Sequence, residues 1–99
     1  MSVDQATPGV TFASEWAWQL SPDVALRDES FGALAYHYGT RRLVFLKSRT
    51  LVALVTSLEA YPSAAAAIDA LVPGAERAHY ERALSKLAAS EMIGVRCAQ

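Results

Sequence analysis

The stretch "ALAYHYGTRRLVFLKSRTLVALVTSL", residues 33–58, contains two short apolar runs around a Gly-Thr pair and then passes into a helical pattern. The runs at 33–38 and 41–47 have the separation of a β-hairpin, and Gly39 would supply the positive φ of its loop. After Ser48 the apolar residues recur with a period of 3.6, which predicts a helix with this serine as its N-cap. The stretch therefore predicts a sheet that leads directly into a helix.

Toward the N-terminus, "EWAWQLSPDVALRDES", residues 15–30, alternates apolar and polar residues on either side of a Ser-Pro break. Alternation after the break predicts a strand that begins at Val24. The part before the break predicts an anchoring arm built on Trp16 and Trp18. Residues 1–14 are rich in small and polar residues, so we expect a mobile tail there.

Toward the C-terminus, "SAAAAIDALVPG", residues 63–74, predicts a short helix with a serine cap and a Pro-Gly stop. A third helix is expected over 76–90, and residues 92–95 predict a short strand or wing. The order of three strands and three helices predicts an α+β domain of the winged helix-turn-helix-like type, a three-stranded antiparallel sheet followed by three helices. We expect the domain over 15–96, with a C-terminal tail over 97–99.

Composition restricts the class of protein. A chain of 99 residues fits one domain. Nine Lys and Arg against ten Asp and Glu leave no cationic excess, so we expect no nucleic acid partner. No apolar run approaches the roughly 18 residues of a membrane span. The single cysteine and the absence of a signal-like N-terminus predict a cytoplasmic protein.

A search for catalytic or metal-binding patterns is negative. His37 and His79 are far apart, Cys97 is near the C-terminus, and no CxxC, HExxH, GxGxxG or GxxxxGK[ST] spacing occurs. We therefore expect no enzyme, no cofactor and no metal. His37 is expected to be a partly exposed polar strand residue. Trp16 and Trp18 are open to two interpretations, closure of one end of the core or stacking on a ligand.

The third predicted strand is basic as well as apolar. Four cations, Arg41, Arg42, Lys47 and Arg49, bracket "LVFL", and no Asp or Glu occurs between Glu29 and Glu59. One interpretation is a solvated hairpin whose Lys and Arg protect the sheet edge from aggregation. The other is a docking edge that takes an extended acidic peptide as an additional strand.

These residues carry a family resemblance. "SPDVALRDESFGALAYHYGTRRLVFLKSRTLVALVTSL", followed by two helices and "MIGV", resembles the PqqD-like chaperones that contain a RiPP recognition element. More narrowly, "FGALAYHYGTRRLVFLKSRT" resembles the mycofactocin biosynthesis chaperones of the MftB type. The general resemblance covers about residues 16 to 95. It implies a protein without catalytic residues that binds the leader of a mycofactocin precursor peptide and presents it to a radical SAM maturase.

The resemblance also implies a binding site between the third strand and the third helix. On the strand side it implies contacts from Leu43, Val44, Phe45, Leu46 and Lys47. The adjacent cations Arg41 and Arg42 are predicted from their charge to contact an acidic leader. On the helix side it implies contacts from the third helix, over 76–90. Helical spacing places Arg77, Glu81, Leu84 and Ala88 on or beside its apolar face, so we expect these four residues to contact the peptide. Two positions depart from the pattern of many relatives: Ser90-Glu91 stands where they have Gly after the last helix, and Lys47-Ser48 replaces an Asn cap.

Two further classes stay open at this point. A winged-helix DNA-binding regulator would read bases with one helix, but the cations Arg77, Arg82 and Lys86 of the third helix are offset by Glu76 and Glu81. A dimerisation module would pair two copies along the same open strand, so a homodimer is a further expectation.

Overall fold

A computed structural model describes residues 12–96, and it has the predicted α+β architecture. Residues 1–11 of the predicted tail over 1–14, the tail over 97–99 and Cys97 lie outside the described residues. Short 3-10 turns follow the first helix and precede the last. The helices and strands, in chain order, are β1 (Trp18–Leu20), β2 (Val24–Glu29), β3 (Gly32–His37), β4 (Arg42–Leu46), α1 (Arg49–Ser57), α2 (Ala64–Leu71), α3 (Arg77–Ala89) and β5 (Ile93–Val95).

The described strands form two antiparallel sheets. One has the order β2-β3-β4 and was predicted. The other pairs β1 with β5, bringing Trp18 opposite Val95. The residue pattern around Trp16 and Trp18 predicts an anchoring arm and gives no strand partner for β1. Its partner lies at the other end of the chain, and local periodicity carries no information about such a distant pairing.

The β3–β4 turn differs from the prediction in its backbone. Arg41 adopts the left-handed φ of 64°, and Gly39 does not. The reason is His37, whose Nδ1 accepts the backbone N–H groups of Gly39 and Thr40 at 3.0 and 3.1 Å. This side chain is 6% exposed, so the expectation of a partly exposed His37 was wrong as well. These two hydrogen bonds fix the backbone of Gly39 and Thr40, so the left-handed residue that returns the chain into β4 is Arg41.

Gly32, at the start of β3, is required by a close backbone approach. Its φ is 149°, and a Cβ built there would lie 2.1 Å from the carbonyl oxygen of Leu46. No residue with a side chain fits between these two backbones. The end of β4, and with it the beginning of α1, is therefore placed directly against the β2–β3 turn.

The predicted serine caps are present. Ser48 Oγ accepts the N–H of Leu51, and Ser63 Oγ accepts the N–H of Ala66. The first two backbone N–H groups of α2 have acceptors in the N-terminal segment. Ala64 and Ala65 donate to the carbonyl oxygens of Trp16 and Ser14 at 3.0 and 2.7 Å. The ordered packing therefore extends before the expected domain boundary at residue 15.

At the end of α3, Glu91 occupies the position where relatives were expected to have glycine. Its φ is 67°. The N–H of Glu91 donates to the Ala88 carbonyl and that of Met92 to the Leu87 carbonyl, at 3.1 and 2.9 Å. This is the Schellman arrangement, here built with a non-glycine residue in the left-handed conformation.

A single core lies between the β2–β3–β4 sheet and the helices, and it extends to the β1–β5 pair. Within residues 12–96, no helix is long and apolar enough to cross a membrane. The largest fully buried side chains come from both ends of the chain and all the layers between: Trp18, Leu46, Leu54, Val55, Leu58, Ile68, Leu84, Met92 and Ile93.

Candidate functional site

β4 is an edge strand, and the register of the sheet shows which of its backbone groups are open. The N–H of Tyr38 donates to the carbonyl of Asp23 at 2.9 Å, one step beyond the Val24–His37 pair. In an antiparallel ladder, directly opposed pairs alternate between bonded and non-bonded. Tyr38 and every second residue before it therefore direct their backbone groups toward β2, and the intervening residues of β3 direct theirs toward β4.

The same alternation continues into β4. Ala35 pairs with Val44, and Leu34 pairs with Phe45. Val44 therefore bonds inward to β3, whereas the N–H and C=O groups of Leu43 and Phe45 point away from the sheet. Within residues 12–96, no backbone hydrogen bond joins these outward groups to another segment. The outer side of β4 is open to an additional strand.

The side chains of β4 divide between the two faces of the sheet. Leu46 is buried in the core and Val44 is partly buried beside it. Leu43 and Phe45 project from the opposite face and are 56% and 54% exposed. An added strand would therefore meet core-facing aliphatic groups on one face and exposed apolar groups on the other.

The cations of this edge have no partners inside the described part of the chain. Arg41, Arg42 and Lys47 are exposed, and none of them makes an ion pair within residues 12–96. The opposite edge of the sheet is different, because β2 carries Asp28 and Glu29 and pairs Arg27 with Glu29 at 3.2 Å. The positive potential of the sheet is thus concentrated along β4.

On the helix side, Tyr80 joins α3 to the end of β4, and it is not among the four helix residues predicted from sequence. Tyr80 Oη lies 3.1 Å from Ser48 Oγ, just after the end of β4. A tyrosine among the apolar residues of a helix predicts only a core position. The hydroxyl contact could not be predicted, because Ser48 is 32 residues away in sequence. Ala83, three residues further along α3, is partly exposed.

The four helix residues predicted to bind peptide have other surroundings. Arg77 pairs with Asp69 of α2 and, at 3.1 Å, with Glu81. Leu84 and Ala88 are 0% exposed and belong to the core. A peptide on the surface would not reach these two side chains unless α3 moved. Their spacing identified the buried face of the helix and not an accessible one.

The two tryptophans have separate roles. Trp18 is 0% exposed, and its indole N–H donates to the Ala13 carbonyl at 2.8 Å. Phe12 and Trp16 flank it, with ring centroids at 5.1 and 6.3 Å. Closure of the core is therefore the role of Trp18, while Trp16 is 46% exposed on the outside.

Neither a metal-binding cluster nor a surface depression gives an alternative site near β4 in the described part of the chain. The described residues contain no group of three or more His, Cys, Asp or Glu that could hold a metal ion. Two shallow depressions of about 510 and 300 Å³ lie beside Ser21 and Pro22. Neither is lined by a residue of β4 or α3. The open edge of β4, with its exposed apolar side chains and cations, therefore remains the candidate site.

Comparison with known proteins identifies the family of this chain. Residues 17–94 match the profile of the peptide chaperone MftB family. The chain belongs to this family. The membership confirms the resemblance to the mycofactocin biosynthesis chaperones, and a peptide chaperone is not an enzyme. No solved structure gives a significant match.

Three curated relatives show how far the similarity extends, and each is named peptide chaperone MftB. The protein from Mycobacterium ulcerans (strain Agy99) is 47% identical over 91 residues, which cover 90% of this chain and 84% of the relative. That from Mycolicibacterium smegmatis is 44% identical over 90 residues, covering 90% and 88%. That from Mycobacterium tuberculosis is 47% identical over 83 residues, covering 83% and 76%.

Proposed function

We propose that this chaperone binds the leader of the mycofactocin precursor peptide by adding it to β4, and presents it to a radical SAM maturase in the cytoplasm. The observation that supports the proposal is the open edge of β4. There the outward backbone groups of Leu43 and Phe45 lie beside cations that make no ion pair within residues 12–96.

The energetics require both backbone and side-chain contacts. Leu43 and Phe45 offer two N–H and two C=O groups, and each hydrogen bond contributes about 0.5 to 1.5 kcal/mol net. The ladder therefore supplies about 2 to 6 kcal/mol, whereas a dissociation constant of about 1 μM corresponds to about 8 kcal/mol. The remainder must come from apolar leader side chains beside Val44 on the inner face and Phe45 on the outer one.

The cations favour an acidic leader. Each exposed ion pair adds only about 0.2 to 1 kcal/mol, so Arg41, Arg42 and Lys47 act mainly on the association rate and on selectivity. An acidic segment would also be repelled by the other open edge, where Asp28 and Glu29 lie. Charge thus directs the peptide to one of the two edges.

The helix side of the proposed site is the surface of α3 near Tyr80 and Ala83. Arg77 and Glu81 could contribute only by leaving their ion pairs with Asp69 and with each other. Leu84 and Ala88 lie in the core beneath this surface. Substitutions at these two positions would disturb folding, and they are poor probes of binding.

The test is a calorimetric titration with the synthetic leader, together with amide resonances of the labelled chaperone. We expect a dissociation constant in the low micromolar range or below, with shifts concentrated in residues 41–47. The control peptide carries Asn and Gln in place of its Asp and Glu. If leader well above that concentration gave neither heat nor shifts in β4, peptide binding at this site would be wrong.

A homodimer would use the same groups of β4 and would compete with the leader. Sedimentation of the free and the leader-loaded chaperone distinguishes the two cases. Under the proposal, the leader-loaded protein contains one chaperone chain at every concentration.

A further inference from the structure

The outer face of the β2–β3–β4 sheet, which points away from the helices, is apolar along β3 and β4. Its β2 border carries the ion pair of Arg27 and Glu29. Leu34 and Tyr36 lie on it opposite Phe45 and Leu43. Phe31 extends the patch at one end, with its ring centroid 5.8 Å from that of Phe45. At the other end the rings of Tyr36 and Tyr38 meet edge to face at 5.2 Å. We call this surface the outer sheet face.

A solvated face of an antiparallel sheet ordinarily carries polar residues in alternation with the buried ones. Here the alternate residues of β3 and β4 are Leu, Tyr, Leu and Phe. Six large hydrophobic side chains of the described chain are exposed, and four of them, Phe31, Tyr38, Leu43 and Phe45, belong to this face. A contiguous patch of this kind indicates an interaction surface.

The geometry of the outer sheet face favours a partner that covers it with a helix or a sheet rather than with an extended peptide. The backbone hydrogen-bonding groups of a sheet lie in its plane, so the face offers side chains only. An extended peptide lying across it would leave its own N–H and C=O groups without protein partners. A helix or a sheet satisfies its own backbone and can cover a surface three strands, or about 10 Å, in width.

Charge argues against a second copy of this chain. Arg41 and Lys47 lie at the β4 border of the outer sheet face and make no ion pair within residues 12–96. Two such faces packed together would bring unpaired cations to the same interface, because Glu29, the carboxylate of this face, is already paired with Arg27 at 3.2 Å. A partner with Asp or Glu around an apolar helix or strand would satisfy both the apolar centre and this border.

We propose that the outer sheet face is the docking surface for the enzyme that modifies the bound peptide. This inference rests on the proposed function, since it takes the maturase as the partner. The enzyme would contribute an apolar helix or sheet bordered by carboxylates, packed over Leu34, Tyr36 and Phe45.

The face and the peptide edge share β4, so their occupants touch. Leu43 and Phe45 direct their backbone groups toward the peptide and their side chains toward the outer sheet face. A leader strand added to β4 would widen that face by one strand and present every second leader side chain to the enzyme. Binding of leader and enzyme is then cooperative, and by linkage the enhancement is equal in both directions.

The test uses the double variant Phe31→Ser/Tyr38→Ser, because these residues bracket the face and lie outside β4. The probe is a purified radical SAM maturase of mycofactocin biosynthesis, titrated with and without leader. We expect enzyme affinity to fall at least tenfold and leader affinity to change less than twofold. The matched control is Val95→Ser on β5, which is 41% exposed outside this face and should leave both affinities unchanged. If the double variant unfolds, Tyr38→Ser alone replaces it, since Tyr38 is the most exposed of the four.

Leader and enzyme titrations distinguish an error in the docking surface from an error in the proposed function. If the double variant keeps full enzyme affinity, or if the wild type binds leader but no enzyme, the docking face is wrong and the peptide site stands. A wild type that binds no leader overturns the proposed function itself. If the wild type sediments as a dimer that this variant dissociates, the occupant is a second copy and the inference is wrong.

Discussion

Arg41 and Arg42 are neighbouring cations whose backbones have opposite requirements. Arg41 adopts a left-handed conformation in the β3–β4 turn, with φ of 64°. Arg42 is the first residue of β4 and is extended. A left-handed residue with a Cβ costs about 1 to 2 kcal/mol, whereas glycine in a strand is itself unfavourable.

The same substitution at the two positions should therefore change stability in opposite directions. We expect Arg41→Gly to raise the free energy of unfolding by up to about 1 kcal/mol and Arg42→Gly to lower it by about 0.5 to 1 kcal/mol. Both variants remove one cation, so leader affinity should fall to a similar extent. Urea denaturation measures the difference, and equal midpoints for the two variants would contradict the backbone assignment.

At the scale of elements, β4 alternates residue by residue between its two neighbours. Val44→Pro removes an N–H that donates to β3 and should unfold the sheet. Phe45→Pro removes an outward N–H, so the fold should persist while the leader binds at least tenfold more weakly than to Phe45→Ala. The alanine variant is the control for the lost ring, and circular dichroism checks folding. If Val44→Pro folded and Phe45→Pro did not, the assignment would be wrong, and Phe45 rather than Val44 would direct its N–H toward β3.

The junction of β4 and α1 depends on one hydroxyl that makes two interactions. Ser48→Ala loses both the helix cap and the bond to Tyr80, so we expect a loss of about 2 kcal/mol in unfolding free energy. Ser63→Ala loses a cap alone and should cost about 1 kcal/mol. Tyr80→Phe should be non-additive with Ser48→Ala and additive with Ser63→Ala. Additivity in both pairs would show that the hydroxyl contact contributes nothing.

The elements that could be predicted from sequence are those specified by neighbouring residues. The strands from Val24 onward, the helices and the caps Ser48 and Ser63 follow from periodicity and local hydrogen bonding. The β1–β5 pair and the Tyr80 hydroxyl contact could not be predicted, because each joins distant segments. Helical spacing also selected Leu84 and Ala88 for the site, since an apolar stripe looks the same whether it faces a groove or the core.

At the scale of the whole molecule, a net charge of -1 conceals a separation of charge across the sheet. Arg42→Glu should weaken leader binding more than Arg42→Gln, which we expect to cost about 0.2 to 1 kcal/mol. The difference between the two variants should shrink as salt is raised to about 0.5 M. Arg82→Glu, on the exposed side of α3, is the control with the same charge change. Equal effects of Arg42→Glu and Arg82→Glu would show that only net charge matters.

The two ends of the described chain meet at one corner of the fold. The N–H of Arg96 donates to the carbonyl of Ala17 at 2.9 Å. The Arg96 guanidinium also donates to the carbonyl oxygen of Tyr61, which fixes the last strand to the α1–α2 connection. A chain that enters and leaves at adjacent points can be inserted into a loop of another protein without disturbing either. Residues 17–96 should therefore tolerate insertion into a loop of another protein, with β4 left exposed.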